Sequence, residues 1–153
     1  MIKNKVFIFF FILIIGFLFN SCATRNEAAR EEIKPVNPLD NIVGVWDGSY
    51  TGANQGETGL TLDIYKEKEK YVAIFHYYNL PGRNNVTEGK YYMDVTYNKE
   101  TGKYFLKASE WIIHPRNYSS GDLEGSITGN FFTGSLIVSN YASGIEFSVV
   151  RQR

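Results

Sequence analysis

Apolar and polar residues alternate with a period of two through most of residues 42–153, and this pattern constrains the fold more than any other feature. In one clear segment, Leu60, Leu62 and Ile64 alternate with Thr61 and Asp63. Successive side chains of a β-strand point to opposite faces, so this alternation is typical of strands with one buried face. Residues 42–153 show no convincing helical periodicity, and the sequence therefore predicts an all-β domain.

The alternation predicts eight strands separated by short connections. Residues 98–102 suit a type I turn closed by glycine, and Gly129-Asn130 suits a two-residue hairpin. Short connections favour antiparallel neighbours, and closing eight strands into a barrel removes exposed sheet edges. We therefore expect an eight-stranded antiparallel meander barrel, with a β-sandwich as the alternative. The predicted strands are 43–51, 60–65, 72–78, 91–97, 104–113, 123–128, 131–138 and 145–151.

The first 21 residues have the layout of an export signal. Lys3 and Lys5 precede an apolar run at residues 6–19. A helix that spans a bilayer needs about 20 apolar residues, so the run fits a cleaved signal better than a permanent membrane span. We therefore expect residues 1–21 to be a signal peptide.

The single cysteine of the chain, Cys22, follows this apolar run directly. With Ser21 before it, Cys22 resembles the lipobox of bacterial lipoproteins, although Phe19 occupies the position usual for leucine. The resemblance implies a palmitate-bearing Cys22 that anchors the protein to the bacterial cell envelope, at the outer membrane. A plain secretory signal with a leftover thiol is the alternative, but a free cysteine is unusual in an exported chain.

A polar segment separates the signal from the predicted barrel. Residues 22–41 contain Pro35 and Pro38 and no aromatic residue, which predicts a flexible tether before a barrel domain at residues 42–153. The chain carries 16 basic and 16 acidic residues. This balance gives no basic footprint for nucleic acid, and one cysteine excludes both an intrachain disulfide and a cysteine-cluster metal site.

A family resemblance rests on the first and last strands of the predicted barrel. Gly44-x-Trp46 on the first strand and Arg151 on the last resemble the calycin group of lipocalins and avidins. In that group the tryptophan closes one barrel end and a basic residue packs across its indole. The resemblance implies that Gly44, Trp46 and Arg151 close the barrel and that the open end captures a ligand. It does not imply biotin binding, because Gly48 and Gly52 replace the polar residues that avidins use.

A second resemblance rests on three spaced motifs. The chain is similar to a domain of exported bacterial proteins that brings no known chemistry. The motifs are Gly44-x-Trp46-x-Gly48-x-Tyr50, Thr58-Gly59-Leu60-Thr61-Leu62 and Trp111-Ile112-x-x-Pro115-x-x-Tyr118.

Aromatic residues near two long connections are the candidate ligand contacts. Tyrosine suits ordinary strand walls, but its ring and hydroxyl also suit a binding site. The connection at residues 79–88 and the loop after Trp111 are placed to overhang a barrel mouth. A small molecule, a glycan or an envelope protein is the expected partner, besides the membrane. The candidate residues are Tyr77, Tyr78, Arg83, Trp111, Arg116 and Tyr118.

Motifs for catalysis are weak. His76 and His114 are the only histidines, and the sequence has neither a nucleophile elbow nor a phosphate-binding glycine loop. Asp63, Asp94 and Glu110 are expected to be surface residues. We therefore expect a noncatalytic module without metal or cofactor. The alternatives are a protein-interaction module, such as an inhibitor of a cell-wall-directed enzyme, and a hydrolase.

Lipidation predicts that radioactive palmitate labels the protein in its host and that Cys22→Ala abolishes the label, because the thiol that accepts the lipid is gone. Autoradiography of the immunoprecipitated protein measures the label. Unchanged labelling of the Cys22→Ala protein would contradict the lipoprotein hypothesis.

Overall fold

A computed structural model describes residues 36–52, 56–82, 86–139 and 144–153. The described chain is an eight-stranded antiparallel barrel, so the predicted meander barrel is confirmed. The predicted signal peptide at residues 1–21, Cys22 and the rest of the predicted tether up to residue 35 lie outside the described residues. In order, the elements are a short 3-10 helix (Pro38–Asn41), β1 (Gly44–Thr51), β2 (Glu57–Glu67), β3 (Lys70–Tyr78), β4 (Gly89–Asn98), β5 (Lys103–Ile113), β6 (Asp122–Thr128), β7 (Phe131–Ile137) and β8 (Ile145–Arg151).

Each strand pairs with its neighbours in sequence, and β1 pairs with β8 to close the barrel. The turns after β2, β4 and β6 and both described chain ends lie at one end of the barrel, which we call the closed end. The connections after β1, β3, β5 and β7 lie at the opposite end, which we call the loop end. Within the described ranges, no helix is long and apolar enough to cross a bilayer.

The alternation in the sequence corresponds to the inner and outer faces of the barrel. Leu60 and Leu62 on β2 are fully buried, whereas Asp63 is exposed. Aromatic side chains fill much of the interior, where the ring of Phe132 lies 4.9 Å from that of Phe147 and 5.9 Å from that of Trp46. Burial of each such ring stabilises the fold by about 2–3 kcal/mol, so this core holds the barrel together.

Gly134 on β7 allows two strands to approach very closely. A Cβ atom at this position would lie 2.0 Å from the carbonyl oxygen of Glu124 on β6. Only glycine fits at such a distance. The sharp coiling that a small barrel requires is therefore built into the sequence at this position.

Trp46 and Arg151 form the centre of the closed end. The guanidinium carbon of Arg151 lies 4.2 Å from the ring centre of Trp46, and Nη1 donates to the Val43 carbonyl over 2.5 Å. The Trp46 indole donates to the Ile42 carbonyl over 2.8 Å. Gly44 has a φ of +136°, and a Cβ there would lie 3.0 Å from Arg151 Nη1. This geometry explains why glycine begins the first strand.

The domain begins earlier than the sequence predicts, because residues 36–41 pack against the closed end. Val36–Arg153 form one compact unit. The hydroxyl of Tyr104 donates to the Pro38 carbonyl over 2.8 Å, and the hydroxyl of Tyr71 donates to Asp40. The polar composition of this segment suggested a tether, but two tyrosines of the barrel, Tyr71 and Tyr104, bind its polar groups.

Arg151→Ala should lower the free energy of unfolding by about 2 kcal/mol, because the cation–π contact and the hydrogen bonds to closed-end carbonyls are lost together. Urea unfolding followed by tryptophan fluorescence measures the change. Arg153→Ala is the matched control, since Arg153 is exposed beyond the last strand. Equal stabilities of the two variants would contradict the role assigned to Arg151.

Candidate functional site

Tyr77 and Tyr78, both predicted to contact a ligand, lie at the end of β3, and strand alternation places them on opposite faces of the barrel. Tyr77 points into the barrel and is 4% exposed. Tyr78 points outward, covers Gly59 and donates to Asp47 Oδ1 over 3.0 Å. One ligand inside the barrel therefore cannot contact both residues. Arg83, predicted in the same site, lies outside the described residues.

Four tyrosines converge inside the loop end, and we call Tyr50, Tyr77, Tyr91 and Tyr118 the tyrosine cluster. The ring of Phe75 lies at its base, 4.7 Å from that of Tyr91, 6.1 Å from that of Tyr77 and 6.3 Å from that of Tyr50. Tyr118 reaches the cluster from the β5–β6 loop and stacks on Tyr77 with a centroid distance of 5.8 Å. The cluster therefore joins three strands and one loop.

Tyr50 is not among the candidate residues predicted from the sequence. It lies four residues after Trp46 on β1, and a period of two places both side chains on the inner face. That spacing could have identified Tyr50 as an inward-facing residue. The sequence-based prediction centred instead on the aromatic residues near the two long connections, β3–β4 and β5–β6.

Hydrogen bonding is unequal within the tyrosine cluster. The Tyr91 hydroxyl donates to the Gly121 carbonyl over 3.0 Å and accepts from the Gly121 amide over 3.2 Å. The Tyr118 hydroxyl accepts from the Thr87 amide over 3.2 Å, and Tyr50 is hydrogen-bonded to the Thr58 side chain. The Tyr77 hydroxyl is buried and has no hydrogen-bond partner among the described residues.

An unpaired hydroxyl at this depth is energetically unfavourable. Leaving a buried polar group without a hydrogen bond destabilises a protein by about 1–3 kcal/mol. Unpaired buried groups are rare in native proteins, and they often mark functional positions. Tyr77 is therefore the residue at the loop end that most needs a functional explanation.

Burial disfavours ionisation of the phenols of the cluster still further. It raises the pKa of Tyr50 to about 12, and it also raises the pKa of Tyr77 and of Tyr91 above the ordinary value. Neighbouring tyrosines add to these shifts because each disfavours a second negative charge nearby. At physiological pH these hydroxyls act as hydrogen-bonding groups rather than as charges.

Trp111 extends the aromatic surface from the cluster toward solvent. Its ring lies 4.9 Å from that of Tyr91. The ring of His114 stacks on the Trp111 ring, with a centroid distance of 4.4 Å. The His114 Nε2 atom is 3.2 Å from the Tyr118 carbonyl oxygen. Arg116 is exposed on the same loop. The structure thus brings Tyr77, Trp111 and Tyr118 to one end of the barrel, and Arg116 lies at its surface.

The outer wall carries a separate polar network. His76 Nε2 is 2.7 Å from Glu88 Oε1, and its ring lies 5.5 Å from that of Tyr78. Thr61 donates to Asp47 Oδ1 over 2.9 Å. The side chains of His76 and Glu88 are 30% and 58% exposed.

The carboxylates considered for catalysis do not form a site with these histidines. Asp63, Asp94 and Glu110 are exposed on the outer wall. In the part of the chain that the structure describes, no three His, Cys, Asp or Glu side chains are arranged to hold a metal ion.

Comparison with known proteins assigns no family to the chain. No family model matches it, and searches of curated proteins and of solved structures gave no match.

Tyr77→Phe should leave the protein as stable or raise the free energy of unfolding by up to about 1 kcal/mol, because an unpaired buried hydroxyl is removed. Tyr91→Phe should lower it by about 1–2 kcal/mol, because its hydroxyl makes two hydrogen bonds to Gly121. Urea unfolding of the two variants provides the comparison. A larger loss of stability for Tyr77→Phe than for Tyr91→Phe would contradict this account of the cluster.

Proposed function

We propose that the protein is a bacterial envelope lipoprotein, anchored at the outer membrane through palmitate on Cys22, whose calycin-like barrel binds a ligand at the loop end. The observation that carries the binding proposal is the buried, unpaired hydroxyl of Tyr77. The lipid anchor is supported by the apolar run followed by Ser21-Cys22. The two parts of the proposal rest on different residues.

The chemistry of the loop end favours a neutral ligand with both an apolar face and a polar group. The cluster tyrosines present neutral hydroxyls, which pair with hydroxyl, carbonyl or ether groups. The rings of Tyr118 and Trp111 are half-buried and offer apolar faces. A small neutral molecule or a short glycan segment has both features.

A ligand that reaches Tyr77 has to displace Tyr118. The Tyr118 ring stacks on Tyr77, and its hydroxyl is hydrogen-bonded to the Thr87 amide on the neighbouring connection. Both contacts are modest, since one neutral hydrogen bond contributes about 1 kcal/mol. Rotation of Tyr118 then exposes the Tyr77 hydroxyl and provides a ring against which the ligand packs.

The proposal assigns binding rather than catalysis to the loop end. General acid–base catalysis requires titratable groups whose pKa lies near the working pH. Burial raises the pKa of Tyr50, Tyr77 and Tyr91 and so moves it further from neutral pH. These groups suit recognition of a ligand by hydrogen bonds.

A protein partner is the second candidate, favoured by exposed apolar residues near the loop end. Ile112 and Ile113 on β5 are 42% and 44% exposed, and Tyr92 on the adjacent strand is 38% exposed. Apolar surface of this kind is common at interaction sites. The loop at residues 114–121 follows directly.

Native mass spectrometry of the full-length protein, extracted in mild detergent from its host envelope, should show a retained small ligand. Tyr77→Phe should lower ligand affinity by about tenfold, the effect of one lost hydrogen bond. Tyr78→Phe is the matched control, because it removes the same atom from the outer face of the same strand.

Equal ligand occupancy in the Tyr77→Phe and Tyr78→Phe proteins would contradict binding at the tyrosine cluster. A co-purified protein in place of a small ligand would favour the interaction module. Either result would leave the palmitate experiment unaffected, so the anchor and the binding site are tested separately.

A further inference from the structure

One junction of the barrel wall is incomplete. Strands β5 and β6 pair only where residues 104–106 lie across from residues 123–125. On its other side β5 stays paired with β4 as far as Ile113, and β6 pairs with β7 along its whole length. Among the described residues, residues 107–113 of β5 therefore have a neighbouring strand on one side only. We call this interruption of the wall the side gap.

A side chain takes the place of the strand ladder where the side gap begins. The Ala108 amide donates to Asp122 Oδ1 over 2.8 Å, so a carboxylate accepts the bond that a backbone carbonyl accepts in a continuous ladder. Register shifts also interrupt the β4–β5 ladder between Lys90 and Met93. Bulges of this kind locally disrupt a ladder and bend the strand. The wall is therefore irregular on both sides of the same stretch of β5.

The loop at residues 114–121 connects the two edges of the side gap, and we call it the lid. Its residue Gly121 is buried, and Tyr118 is half-buried. The Tyr118 ring stacks on that of Tyr77, and the Tyr91 hydroxyl bonds to both the carbonyl and the amide of Gly121. The lid, rather than a strand, therefore covers Tyr77 and Tyr91 beside the gap.

The lid is held firmly at one end and weakly near its middle. At Gly121 the Tyr91 hydroxyl makes two hydrogen bonds, of 3.0 and 3.2 Å. The Tyr118 hydroxyl makes one, from the Thr87 amide over 3.2 Å. Among the described residues, one backbone hydrogen bond joins two residues of the lid, from the Tyr118 amide to the Pro115 carbonyl over 3.3 Å. The part around Tyr118 can therefore leave the tyrosine cluster while Gly121 stays in place.

From these observations we propose that the lid opens at the side gap and admits the ligand to the tyrosine cluster through the wall between β5 and β6. The inference rests on the binding site of the proposed function and assigns an entrance to it. Movement about Gly121 withdraws Tyr118 from Tyr77 and frees the Tyr77 hydroxyl for a ligand. Because residues 107–113 have no partner on this side, the movement breaks no strand ladder.

Trp111 gives the entrance an apolar side. It lies on the unpaired stretch of β5, is half-buried, and contacts Tyr91 with a centroid distance of 4.9 Å. Opening of the lid therefore makes an aromatic face and the Tyr77 hydroxyl available together. This pairing matches a ligand with one apolar face and one polar group.

Thiol labelling measures opening of the lid without any ligand. Ala108 and Ala73 lie across from Met93 on its two neighbouring strands, Ala108 beside the side gap and Ala73 within the complete wall. Ala108→Cys and Ala73→Cys are made separately in the full-length Cys22→Ala protein, so that each variant has one thiol. A bulky maleimide dye is added in mild detergent, and mass spectrometry follows the rate of labelling. We expect position 108 to react and position 73 to stay protected.

Tyr118→Phe tests whether the lid controls this access. Loss of the hydrogen bond to the Thr87 amide should speed labelling at position 108 about fivefold, the effect of one neutral hydrogen bond on an equilibrium. Labelling at position 73 should not change. Tyr92→Phe is the matched control, because it removes the same atom from an exposed side chain on the outer face of β4. It should leave both labelling rates unchanged.

Equal labelling rates at position 108 with and without the Tyr118 hydroxyl would overturn the lid. An equal gain at position 73 would also overturn it, because the chain would then be unfolding generally rather than opening at the side gap. Faster labelling at position 108 alone supports the lid even if native mass spectrometry shows no retained ligand. In that case only the binding proposal fails, so the two proposals are tested separately.

Discussion

The contact between Trp46 and Arg151 is the interaction on which the barrel depends most. It joins the first and last strands across the seam that closes the sheet, and it does so at the end where both described chain ends meet. The same guanidinium bonds to the Val43 carbonyl, and the indole bonds to the Ile42 carbonyl. One pair of side chains therefore closes the sheet and fixes the segment that covers its base.

The closed end and the loop end use aromatic residues in different ways. At the closed end the polar atoms of Tyr71 and Tyr104 are paired with the segment at residues 36–41, so the aromatic groups act as structural supports. At the loop end Tyr91 is similarly paired, but Tyr77 is not. This difference is why we place the binding site at the loop end.

The fold was predictable from the sequence because burial in a single-layered barrel follows the residue period directly. Leu60 and Leu62 face inward as the alternation requires. The same rule shows why Tyr77 and Tyr78 could not share a pocket, although their adjacency suggested it. The role of residues 36–41 was not predictable, because their contacts join positions far apart in the chain, such as Pro38 and Tyr104. The unpaired state of Tyr77 likewise depends on three-dimensional geometry.

The attachment of the 3-10 helix at the closed end also determines how the domain bears mechanical force. If the proposed anchor is pulled while the proposed ligand is held at the loop end, tension enters at Val36 and passes through Ile42 into β1. That strand is bonded to β2 on one side and to β8 on the other. Force along β1 therefore loads both hydrogen-bonded ladders in shear, with many bonds sharing the tension, rather than opening them one bond at a time.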